Sequence, residues 1–114
     1  MIVMPREIKK TDWKLLRQLH PVALGRFCQP VLSEIEGIDT DSAKSFHQRY
    51  LDIFDVIQSR NEDIAHTFDN PRRSTALMQL AAIRSQGLLT DEEFQQFSEE
   101  TRTLIEVLLG NRRA

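Results

Sequence analysis

The sequence predicts an all-α fold, a compact bundle of five to six helices around one long central helix. Three observations carry that expectation. The run from Ser42 to Phe68 has no Gly and no Pro, and its apolar residues Phe46, Tyr50, Ile53, Phe54, Ile57, Ile64 and Phe68 fall mostly in steps of three and four. That spacing lines one side of a helix, whereas a strand face needs a period of two. Helix stops and starts punctuate the rest of the chain, and no stretch alternates apolar with polar residues as a half-buried strand would. A helix over Ser42–Phe68 would be about 40 Å long, and it needs shorter segments packed against it to bury its stripe.

Taken in order, Thr11 caps a first helix with Asp12 in its first turn and Trp13, Leu16 and Leu19 (or Leu15 and Leu19) as its apolar face. His20-Pro21 breaks it, and Pro21 suits the first turn of a second helix from Val22 to about Ile35. Its inner side takes Leu24, Phe27, Cys28, Val31, Leu32 and Ile35, and Pro30 is expected to kink or divide it. Gly37 ends it, and Thr40 or Asp41 caps the central helix. Asp69-Asn70-Pro71 then opens a fourth helix from Arg72 to about Ser85, where Leu77, Met78, Leu80, Ala81 and Ile83 spread over more than one face. Gly87 sits at the C′ position, and Thr90-Asp91-Glu92-Glu93 reads as a capping box for a short helix to about Phe97. Ser98 caps the last helix, which carries Leu104, Ile105, Leu108 and Leu109.

At 114 residues the chain is a single domain over 1–114, with 1–10 and 110–114 expected to be loosely ordered. Hydrophobic residues at 40% and charged ones at 28% are enough to build a core and argue against wholesale disorder. Cys28 is the one cysteine, so no intramolecular disulfide forms and a cytoplasmic setting is expected. The start, MIVMPREIKK, reverses the order of a signal peptide, and no apolar run is long enough for a bilayer. Charge is uneven: residues 1–30 carry six basic and two acidic side chains, a net of +4, and residues 31–69 carry three basic and nine acidic, a net of −6. The two regions can pair within a chain or across a dimer.

The string Leu80-x-x-Ile83-x-x-x-Gly87-Leu88-Leu89-Thr90-Asp91-Glu92-Glu93-Phe94 gives residues 77–109 a partial resemblance to the SHOCT module, a short C-terminal helical hairpin. The resemblance implies a helix, a Gly stop and a capped second helix, with a role in oligomerisation or partner docking. The chain departs from that family after Phe94, where Gln95, Gln96, Phe97 and Ser98 stand in place of lysines. The whole chain also resembles small uncharacterised bacterial helical proteins, which implies no activity.

Candidate chemistry is sparse. Arg60-Asn61-Glu62-Asp63-Ile64-Ala65-His66 resembles the Arg-x(4–6)-His motif of HEPN ribonucleases, in which a cation and a group titrating near neutrality act on a phosphate. On a regular helix these two side chains point to different sides, and Glu62 and Asp63 between them repel phosphate. Histidines 20, 47 and 66 are too scattered for a metal site, and Cys28 reads as a buried thiol. Glycines at 25, 37, 87 and 110 form no phosphate loop, so no cofactor is expected. Arg72 and Arg73 at the start of a helix, with Lys9, Lys10, Lys14 and Arg17 as a second small group, are thin support for a nucleic-acid-binding regulator at a pI near 5.9.

The reading that remains is a non-enzymatic protein acting through protein contact, self-association first. The stripe residues Phe46, Tyr50, Ile53, Ile57 and Ile64 are the expected partner-binding set, pairing antiparallel with a second copy and burying Asn61 as a polar register mark. Partners are a second copy or another protein, with nucleic acid disfavoured and no membrane expected. A HEPN-like ribonuclease using Arg60 and His66 is the competing class.

Overall fold

The computed structural model describes residues 7–110, which form five α-helices: α1 (Lys10–Asp39), α2 (Phe46–Phe68), α3 (Ala76–Ser85), α4 (Asp91–Gln95) and α5 (Glu99–Gly110). No strand occurs among the described residues. The longest helix is α1, with 30 residues, and not the Ser42–Phe68 run.

Two expected helices are therefore one. α1 runs unbroken through Pro21 and Pro30. Each proline removes one backbone N–H, freeing the carbonyls of Arg17 and Arg26. Both prolines are exposed, so water reaches that side of the helix and the loss is not a buried one. The apolar residues to either side stay continuous: Leu16 and Ala23 are buried, and Trp13, Leu15, Leu19, Leu24 and Phe27 pack on the same core. Gly37 lies inside the helix, which ends at Asp39 with Thr40 as its C-cap, the Thr40 N–H donating to the carbonyl of Glu36 at 3.0 Å.

The turn between α1 and α2 uses Asp41, whose Oδ1 accepts from Ala43 N–H at 3.0 Å. That takes residues 41–44 out of the helix, and Ser45 becomes the cap, its Oγ accepting from Gln48 N–H at 3.0 Å. α2 is thus 23 residues long. Asn70 then adopts a left-handed backbone at φ 55°, which amide side chains tolerate better than most. The chain leaves it in a turn closed by Thr75 N–H on the Arg72 carbonyl, and α3 starts at Ala76 instead of Arg72.

The body of the molecule is built where the first half of α1, the end of α2 and helices α3–α5 meet. Its core holds Ile8, Leu16, Phe68, Leu80, Ile83, Phe94, Phe97 and Ile105. Met78 alone of the expected α3 apolar residues faces water. Beyond the body, the second half of α1 and the first two-thirds of α2 continue as a two-helix arm, which gives the molecule extents of 56 × 32 × 25 Å. Arm contacts include Arg60 Nη2 on Glu34 Oε2 at 3.0 Å and Arg49 Nη1 on the Asp39 carbonyl at 2.8 Å, which set α1 and α2 antiparallel and side by side.

The body is tied to α1 by polar contacts as well. The Asp12 carboxylate is 3% exposed and accepts from Ser98 N–H (2.9 Å), Ser98 Oγ–H (2.6 Å) and Thr101 Oγ–H (2.7 Å). Those bonds hold Asp12 below the usual carboxylate range, against the burial that pushes it up. Arg26 forks onto Glu93 (2.6 and 3.0 Å) and also donates to the Leu88 carbonyl at 3.0 Å. Glu93 closes the capping box with Thr90, and the Arg26 guanidinium draws its pKa down to about 2.

Candidate functional site

Two helices cannot bury an apolar side on both of their open faces, and among the described residues no third helix lies over the tip of the arm. On α2, Phe46, Tyr50, Phe54 and Ile57 are 83, 68, 53 and 43% exposed. Their steps of four, four and three place them along one side of the helix. Of the other expected partner-binding residues, Ile53 is half-buried, Asn61 is exposed, and Ile64 packs on the core. The stripe is thus divided: its body end, Ile64 and Phe68, is used inside the chain, and its tip end is open. Asn61 marks the boundary.

Two residues of this surface lie outside the expected partner-binding set. Phe54, a member of the predicted stripe, continues it one turn after Tyr50. Leu32, expected on the inner side of its helix, is 64% exposed. One residue is about 100° around a helix. Val31 and Ile35 are half-buried, which leaves their neighbour Leu32 turned outward.

The face on which these residues lie can be fixed by what lines the other one. A groove of about 340 Å³ between arm and body is lined by Pro30 and Glu34 of α1, Asp63 of α2, and Leu88. Leu32 is about 200° around α1 from Pro30, and Phe54 is about 180° around α2 from Asp63. Both therefore face away from α3–α5, onto a side of the arm that the body leaves unobstructed.

Charge on α2 is sorted in the same way. Asp52, Asp55, Glu62 and Asp63 all fall within about 100° of one another on the side opposite the stripe. Lys44 pairs with Asp52 at 2.7 Å there. No acid of α2 flanks the open apolar side. Among the described residues, none of the six ion pairs joins the basic region 7–30 to the acidic region 31–69.

The remaining candidates are not assembled. Arg60 is paired with Glu34, whereas His66 lines a separate cleft of about 470 Å³ with Asp69, Asn70, Arg72 and Gln79. Arg73 is committed to the body, donating from Nε to the Ile8 carbonyl at 2.8 Å and lying 3.7 Å from Glu7. Arg72 is exposed and sits in the turn before α3. Cys28 is half-buried on α1. Among the described residues there is no group of three or more His, Cys, Asp or Glu side chains placed to hold a metal, and no helix is long and apolar enough to cross a membrane. No family model, no curated protein and no solved structure matches the chain.

Proposed function

We propose that this protein is a non-enzymatic interaction protein that binds a second copy of itself through the open side of α2. The observation that supports this is the exposure of Phe46, Tyr50, Phe54 and Ile57 along one side of an arm that stands clear of the body. With Leu32 these side chains leave on the order of 600 Å² of mostly apolar surface in water, at the upper end of what a soluble monomer exposes in one patch. Two copies facing each other bury about 1,200 Å², the lower end of the range for specific interfaces. The body, including the SHOCT-like residues 77–109, holds the arm in place. A bundle with α2 at its centre, as the stripe first suggested, is then a property of the pair and not of one chain. One cysteine and no disulfide suit a cytoplasmic setting.

The test is molar mass by light scattering on a sizing column at two loadings. A mass twice 13.3 kDa at both loadings supports the reading, and replacing Tyr50 and Phe54 together by Glu returns the chain to monomer. A wild-type mass of 13.3 kDa at both loadings overturns it.

A further inference from the structure

We infer that the two copies pair antiparallel along α2, with the twofold axis crossing between Tyr50 and Phe54, and that the pair closes a four-helix bundle at the arm. This rests on the self-association reading and adds its geometry.

Around α2, the side that meets α1 is marked by the half-buried Arg49, Ile53, Val56 and Arg60, and the open stripe lies about 90° further round. A helix carries its neighbour at the same angular offset in each copy. When two such helices pair antiparallel, both neighbours fall on the same side of the pair; when they pair parallel, the neighbours fall on opposite sides. The antiparallel arrangement therefore sets α1, α2 and their copies at the corners of a square around one core, as in a four-helix bundle. The parallel one leaves a single α2–α2 seam with each α1 standing outside it.

Leu32 supports the square. It lies about 90° round α1 from the side marked by Val31, Ile35 and Ile38, in the same sense as the stripe on α2, so in the square it also turns inward. The spacing along α2 is self-complementary about a point near residue 52. Tyr50 of one copy meets Phe54 of the other, and Phe46 meets Ile57. Asn61 then falls beyond the tip of the other arm and stays in water. The acids of α2 all face outward, away from the seam.

Cysteine pairing reads the geometry directly. In a Cys28→Ser background, Phe46→Cys and Ile57→Cys are made separately, and each is checked for dimer mass under reducing conditions. In the antiparallel pair, positions 46 and 57 of opposite copies come within disulfide reach. The like positions 46 and 46, or 57 and 57, lie about 15 Å or more apart along the axis, beyond it. The expected result is that neither variant alone forms a disulfide dimer under mild oxidation, whereas an equal mixture of the two does, in the mixed species. Disulfide dimers from each variant alone would make the pairing parallel and overturn the inference. A dimer mass with no disulfide in any sample would place the interface elsewhere and overturn it too. A monomer mass for wild type would instead overturn the self-association reading itself.

Discussion

Asp12, in the first turn of α1, holds the cap of α5 from 86 residues away: it accepts both the N–H and the hydroxyl of Ser98, whose Oγ in turn accepts from Thr101 N–H at 3.3 Å. Thr101 adds a third bond to the same carboxylate, inside a site that water barely reaches. One side chain thus joins the two ends of the described chain.

Replacing Asp12 by Ala strands the Ser98 N–H and two hydroxyl groups. The expected loss is about 2–4 kcal/mol, since bonds to a charged group are worth about 1.5–3 kcal/mol and buried donors left unpaired add to the cost. Urea unfolding measures it as a lower midpoint with an unchanged slope. An Asp12→Ala midpoint equal to that of wild type would show that the cap carries no stability.

Acid should reveal the same contact. Asp12 and Glu93 both have folded-state pKa values below their ordinary ones, Glu93 at about 2. A depressed carboxylate contributes stability that is fully present above its unfolded value, near 4, and is lost as pH falls toward the folded one. Stability is therefore expected to hold level between pH 8 and 5 and to fall from about pH 4.5 to pH 2. The double variant Asp12→Asn, Glu93→Gln should start lower and show a shallower fall over that interval. An equally steep fall in the double variant would assign acid unfolding to other groups.

Much of this fold could be read from residue order alone. The Gly87 stop and the Thr90–Glu93 capping box are local signals, made by residues within three positions of one another, and they appear where expected. Boundaries that depend on distant contacts were not legible. Pro21 and Pro30 look like helix breakers, and only the core on either side explains why α1 passes through them. Asp12 looks like an ordinary first-turn acid, and nothing nearby in sequence announces Ser98. For the surface, the stripe on α2 was plain, but which half of it the chain covers for itself was not. That depends on α3–α5 sitting at one end of the helix pair.

The glycines provide a contrast within one chain. Gly87 has φ +71°, so although a Cβ there meets nothing within 4 Å, any other L-residue is strained by about 1–2 kcal/mol. Gly25 also has open space around it but sits in the middle of α1 with an ordinary helical backbone. Gly87→Ala should destabilise by about 1 kcal/mol or more, and Gly25→Ala should stabilise by about 0.5–1 kcal/mol. Thermal unfolding of the two variants, side by side, decides both; a shift in the same direction for each would contradict the account.

The arm should separate association from stability. Phe54 is 53% exposed and lies outside the body core, so Phe54→Glu removes little that holds the monomer together. At the centre of the proposed seam, however, it places a carboxylate against the Tyr50 ring of the other copy, where the nearest α2 cation, Arg49, is already held over the Phe46 ring and on the Asp39 carbonyl. Central aromatic positions of this kind cost about 2–4 kcal/mol when altered, a 30- to 1,000-fold weaker dimer. The unfolding free energy from urea titration, taken at concentrations where both proteins are monomeric, should stay within about 0.5 kcal/mol of wild type. Salt gives an independent check on the same seam. In the antiparallel square, Glu36 and Asp39 of the two α1 tips come together, so raising the ionic strength from 0.05 to about 0.5 M should tighten the dimer by screening them. Weakening with added salt would mean that opposite charges meet at the interface. The acidic tips would then lie against a basic surface such as that of Lys10, Lys14 and Arg17, and not against each other.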